Sequence, residues 1–120
     1  MPFTAWTSFA QVPTCKSLHT GSFKVFTKKS GTTFIKRTPA EQIETNVDLG
    51  YKLILSIKWI DECTYELRPK KLIKGDPAIM GDGKSFVTTR IKDITPTGYT
   101  AETSASFDNS TIDFSVEILH

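Results

Sequence analysis

From Gly21 to Leu119 apolar and polar residues alternate with a period of two, and Gly, Pro, Asn, Asp and Ser interrupt the alternation at short intervals. A strand points successive side chains to opposite faces, so this pattern describes strands with one face buried. No run carries the 3.6-residue spacing of an amphipathic helix. Eight strands are predicted, over 21–29, 32–38, 42–47, 51–60, 64–73, 84–94, 99–107 and 111–119. The fourth, YKLILSIKWI, is the most apolar, with Tyr51, Leu53, Leu55, Ile57 and Trp59 on one face. Tyr65 and Leu67 continue that face in the fifth strand, where Pro69, having no N–H, marks an edge, a bulge or an early end to pairing. In the last strand Ile112, Phe114, Val116 and Ile118 all face one way.

The connections are too short to hold the helical crossover that parallel strands need, which makes the chain all-β and an antiparallel up-and-down meander. An open eight-stranded sheet would expose an apolar face and two edges, whereas closure buries the face and removes the edges. The expected architecture is therefore a closed barrel of the lipocalin-like kind. A two-sheet β-sandwich satisfies the same alternation. With 120 residues the chain has material for one core, so residues 13–120 are read as a single barrel domain and 1–12 as a leader.

The leader reading comes from MPFTAWTSFAQVPTC, which is uncharged and apolar and places the small residues Ser8 and Ala10 as a signal peptidase would require before Gln11. It points to an exported protein, periplasmic or secreted. No stretch approaches the roughly 18 apolar residues of a membrane-spanning helix. The formal charge of +2 is too small to imply a nucleic-acid partner, although residues 1–40 hold six Lys or Arg and no acid. Because strands interleave in space, that asymmetry is read as complementary solvated faces.

Cys63 stands in KWIDECTYELR beside Asp61 and Glu62, in the turn between two strands. In an up-and-down meander the start of the first strand and the turn after the fourth lie at the same end. Cys15 and Cys63 therefore meet at one rim, and with an export-like terminus a disulfide is expected. A nucleophilic thiol would need a base, and His19 is the only histidine besides the last residue, His120. No spacing of His, Cys, Asp and Glu describes a metal site.

Other signals are weak. MGDGKS (80–85) has the composition of a phosphate loop without its spacing or its following helix. Asn109-Ser110-Thr111 fits both a glycosylation acceptor and a hairpin turn. Lys24, Phe26 and Lys28, with Ile35 and Arg37 on the next strand, are assigned to a solvated outer face.

The segments CKSLHTGSFKV (15–25) and KWIDECTYEL (58–67), with TTFIKRT and LGYKLILSIKW between them, resemble a family of short exported proteins of Bacteroidetes-type bacteria that has no assigned function. The likeness lies in a Cys-x-x-Leu-x-x-Gly-x-Phe opening and a Trp-x-x-x-Cys-x-Tyr-x-Leu centre, and it covers about residues 15–72. Some chains of that kind carry a DNA topoisomerase IV label, for which this sequence has neither the catalytic tyrosine context nor a nucleotide fold. The resemblance implies export and a cysteine pair, and no activity.

Two function classes remain. In the first the barrel encloses a small apolar or amphipathic ligand; in the second it is a structural or protein-interaction module with a filled core. The longest loop, KGDPAIMGDG (74–83), offers Ile79 and Met80 as a lid over the mouth or as a cap on the core. Ala101, Thr103 and Ala105 place small side chains on the inner face of the seventh strand, leaving room for a ligand. No carboxylate pair, histidine cluster or nucleophile with its base suggests an enzyme or a cofactor.

Overall fold

The computed structural model describes residues 12–120. Apart from Val12, the leader read over 1–12 lies outside the described residues. Eight antiparallel strands form a closed up-and-down barrel: β1 (Gly21–Thr27), β2 (Gly31–Arg37), β3 (Glu41–Asn46), β4 (Tyr51–Asp61), β5 (Thr64–Lys74), β6 (Val87–Lys92), β7 (Gly98–Ala105) and β8 (Thr111–Leu119). Each strand pairs with its neighbours in sequence, and β8 returns to β1 from Ser22↔Leu119 to Val25↔Val116. Closure pairs each strand on both sides except β5, which beyond Leu67 pairs with β4 alone. The single core is built from the inward series Phe23 and Val25, Leu53, Leu55 and Ile57, Tyr65 and Leu67, with Ile91, Tyr99, Ala101 and Val116.

The barrel departs from regular pairing where Pro69 predicts it. Ile54 lies opposite Lys71 and Leu55 opposite Pro69, which makes Lys70 the extra residue of a bulge. β5 pairs with β6 only from Thr64 to Leu67, so Pro69 has no partner on its β6 side that an N–H would have to serve. The rest of β5 runs on with β4 alone, and the 75–86 loop packs beside it. In that loop Asp76 Oδ1 accepts the Ala78 N–H at 2.9 Å and starts a 3₁₀ turn, Pro77–Met80, which contacts β5.

The two ends differ. At one end lie the β2–β3, β4–β5 and β6–β7 turns together with a second 3₁₀ turn, Lys16–His19, that precedes β1. Thr14 and Ser17 cap each other there, each N–H donating to the other's hydroxyl at 3.0 and 3.2 Å. The turn inserts Leu18, 3% exposed, into the end of the core. It is fastened to the β4–β5 turn in three ways: the Cys15–Cys63 disulfide, with Cα atoms 5.0 Å apart; a 2.8 Å hydrogen bond from His19 Nε2 to the Glu62 carbonyl; and stacking of the His19 ring on Trp59, centroids 3.4 Å apart. Asp61 accepts the Cys63 N–H at 2.8 Å, so this acid beside the cysteine serves the backbone of the turn.

The opposite end is a mouth formed by the β1–β2, β3–β4 and β7–β8 turns and the 75–86 loop. Asn46, 1% exposed, holds its lip: Nδ2 donates to the Ser30 carbonyl and to Thr33 Oγ1, and Oδ1 accepts the Leu49 N–H. Asp48 accepts the Thr32 N–H at 2.8 Å and sits so close to Gly31 that a Cβ there would come within 2.2 Å of its carboxylate; with φ +73 the position has two reasons to be glycine.

The disulfide closes a loop of 48 residue steps, for which the chain-entropy model gives about 4 kcal/mol. Replacing Cys63 with Ala is expected to lower the unfolding free energy by about 2–5 kcal/mol in urea denaturation. Intact mass with thiol alkylation, before and after reduction, checks the bond itself.

Candidate functional site

The parity of β-pairing decides which side chains enter the barrel. Leu53 and Leu55 face inward, so their cross-strand partners Glu44 and Gln42 face inward too, and Ile43 between them is turned outward. Gln42 is paired in turn with Arg37, and Glu44 with Ile35. Ile35 and Arg37 are thus buried in the barrel at 8% and 2% exposure. This corrects their assignment to a solvated outer face: Lys24 is the cross-strand partner of Phe34, and Ile35 belongs with Phe23 on the inner side.

Arg37 spans the closed end of the lumen. Its Nε donates to Gln42 Oε1 at 3.0 Å, Nη1 to the Leu18 carbonyl at 2.8 Å, and Nη2 to the Tyr65 and Tyr99 hydroxyls at 3.2 Å each. The guanidinium also lies over the faces of Phe23 and Tyr65, 4.4 and 4.9 Å from their centroids. Gln42 uses its amide as a bridge, accepting from Arg37 and donating from Nε2 to Glu44 Oε2 at 2.8 Å. Burial raises the Glu44 carboxyl above its usual 4.5, against the opposing pull of the Gln42 hydrogen bond and the Arg37 charge. Burial likewise raises the Tyr65 phenol, opposed by Arg37.

Above this polar floor is a cavity of about 280 Å³ to which all eight strands contribute. Val25, Ile35, Leu67, Phe114 and Val116 form apolar walls, while Thr33, Thr89 and Thr103 are short enough to leave space between them. Tyr51, Val87 and Ile112 line it toward the mouth. Its volume lies just below the usual range for small-molecule sites, as expected of a barrel of only eight strands.

The residues singled out by sequence divide. Thr103 lines the cavity, and its hydroxyl is hydrogen-bonded to that of Thr89. Ala101 is fully buried in the core and Ala105 is paired with Val87 at the start of β6, but neither lines the cavity. Ile79 and Met80 pack partly buried against the core beside β5 and are not among the residues that line the lumen. In the MGDGKS segment the Lys84 and Ser85 N–H groups both donate to Asp82 Oδ1, at 2.8 and 2.7 Å, and hold that carboxyl below its usual value; those amides are already engaged.

Sequence reasoning missed Arg37, Gln42, Glu44, Tyr65 and Tyr99 as a group. The signal was parity: Arg37 and Ile35 share a phase in β2, and counting back across the Val47–Gly50 turn from Leu53 and Leu55 turns Glu44 and Gln42 inward.

A carboxyl whose folded pKa lies above its unfolded value contributes most below the unfolded value and loses that contribution as pH rises through the folded one. The groups facing Glu44 are Gln42, Arg37, Tyr51 and Tyr65. Glu44→Gln is therefore expected to gain stability relative to the wild type as pH rises above about 4.5 and to level off once the wild-type carboxyl is ionised. Urea denaturation from pH 4 to pH 8 checks this; a pH-independent difference would contradict the placement of the carboxyl.

Among the described residues no group of three or more His, Cys, Asp and Glu side chains is placed to hold a metal ion, and no helix is long and apolar enough to cross a membrane. No family model, curated protein or solved structure matches the chain, so the geometry of the lumen carries the functional reading alone.

Proposed function

We propose that this chain is an exported carrier or sensor barrel that takes one small amphipathic molecule into its lumen. The observation that carries the reading is the cavity of about 280 Å³ between a polar floor and a mouth, with apolar walls between them. A barrel serving only as a scaffold gains by filling that space, because each unfilled volume forfeits dispersion contacts. Here Thr33, Thr89 and Thr103 stand where larger side chains would close the lumen. Export is supported by the Cys15–Cys63 disulfide, which persists in an oxidising compartment. The competing reading is a structural or protein-interaction module with no ligand.

The test is titration with Nile red, an uncharged environment-sensitive dye, followed by fluorescence. Saturable binding at one site is expected, weakened at least about tenfold by Thr103→Phe, whose ring would occupy the cavity. Changing Ile79 and Met80 together to Ser should lower the thermal midpoint and leave dye affinity nearly unchanged, because these residues pack against the core and do not line the cavity. Failure of the wild type to bind, with its fold intact, would favour the module.

A further inference from the structure

Arg37 is a buried cation whose hydrogen-bond acceptors are all neutral: an amide oxygen, a main-chain carbonyl and two phenols. Burying a charge is costly unless a counter-charge accompanies it. Among the described residues the five ion pairs are Lys24–Glu117, Arg68–Glu66, Lys70–Glu41, Arg90–Glu102 and Lys92–Asp113, all on the outer surface. Glu44, the carboxyl inside the lumen, makes no direct contact with Arg37: Gln42 stands between them and binds both, so the two charges act on each other only across that amide.

The floor also has donors to spare. A guanidinium has five N–H groups, and four hydrogen bonds are accounted for, leaving one on Nη1. The Tyr65 and Tyr99 oxygens both accept from Nη2, and the Tyr65 hydroxyl is turned to Tyr99, whose own O–H is left to donate. Arg37, Tyr65 and Tyr99 all line the cavity. Beyond the walls, Val47, Leu49 and Phe107 are exposed apolar residues in the turns around the mouth, and Ile112 lines the outer part of the cavity.

We propose that the lumen floor is a carboxylate site, and that the ligand is an aliphatic or aromatic monocarboxylic acid bound head-first, its carboxylate on Arg37 Nη1 and the Tyr99 hydroxyl, which Tyr65 supports from behind, and its tail toward the mouth. The assignment rests on the ligand-carrier reading and specifies its ligand class. A singly charged head suits the two free donors, and a phosphate monoester would bring nearly two negative charges close to the Glu44 carboxyl. The carboxylate would replace water as the partner of the free N–H and phenol O–H groups, and hydrogen bonds between ionised partners are about twice as strong as neutral ones.

Isothermal titration with decanoate, 1-decanol and decyl phosphate at pH 7 tests the assignment. Decanoate is expected to bind at least about tenfold more tightly than either of the others, a margin of one charge-assisted contact. Arg37→Gln is expected to bring the decanoate-to-decanol affinity ratio close to one. If that variant does not fold, Tyr65→Phe combined with Tyr99→Phe keeps the guanidinium and should still lower the ratio about tenfold. Decanol binding as tightly as decanoate would overturn the carboxylate site while leaving the carrier reading in place, and tighter binding of decyl phosphate would also overturn it. No binding of any of the three would overturn both.

Discussion

The Arg37 guanidinium is the point on which the closed end of the barrel depends. It joins four parts of the chain that are far apart in sequence: the 3₁₀ turn before β1 through the Leu18 carbonyl, β3 through Gln42, β5 through Tyr65 and β7 through Tyr99. An aliphatic side chain at this position would fill volume but satisfy none of those acceptors. Leaving a buried acceptor without a partner costs about 1–3 kcal/mol, comparable with the gain from burying a whole apolar side chain. The network also orients the floor: Phe23 and Tyr65 stack against the cation, and Tyr99 meets Phe23 edge-on at 6.1 Å.

The disulfide and the cation act on the same element. Cys15 starts the turn that delivers Leu18 to the core and its carbonyl to Arg37, while Cys63 anchors that turn to the β4–β5 hairpin. The N–H of Ile91 donates to the Cys63 carbonyl at 2.8 Å, extending the tie to β6. Covalent and polar restraints thus concentrate at one end of the barrel. The mouth relies on the Asn46 and Asp48 hydrogen bonds and on short turns. This division is why the cavity opens away from the crosslink: β6 begins only at Val87, and the far half of β5 pairs with β4 alone, so the barrel wall is least complete at that end.

Most of the fold was legible because alternation and turn chemistry agree along the chain. The eight-stranded meander and the Cys15–Cys63 pair follow from counting residues and ends, and the interruption at Pro69 from its missing N–H, whereas alternation left closure into a barrel beside a two-sheet sandwich. The polar floor was not legible from composition. QIETN presents one apolar residue, Ile43, among polar ones, and apolarity alone would turn Ile43 inward; pairing with Leu53 and Leu55 turns it out. Arg37 was placed outside for the same reason, since a cation adjoining a basic, aromatic strand resembles a solvated face until its register is known. Ile79 and Met80 were ambiguous because a loop apolar residue covers either a mouth or a wall, and only the truncated β5–β6 pairing shows a wall in need of cover.

The central claim is that a buried cation, satisfied by neutral partners, holds the closed end together. Its most direct test is the unfolding free energy of Arg37→Met, measured in urea with the disulfide intact. A loss of about 1–3 kcal/mol is predicted, from acceptors left unpaired at Leu18 and Gln42. A variant as stable as the wild type, or more stable, would contradict the account.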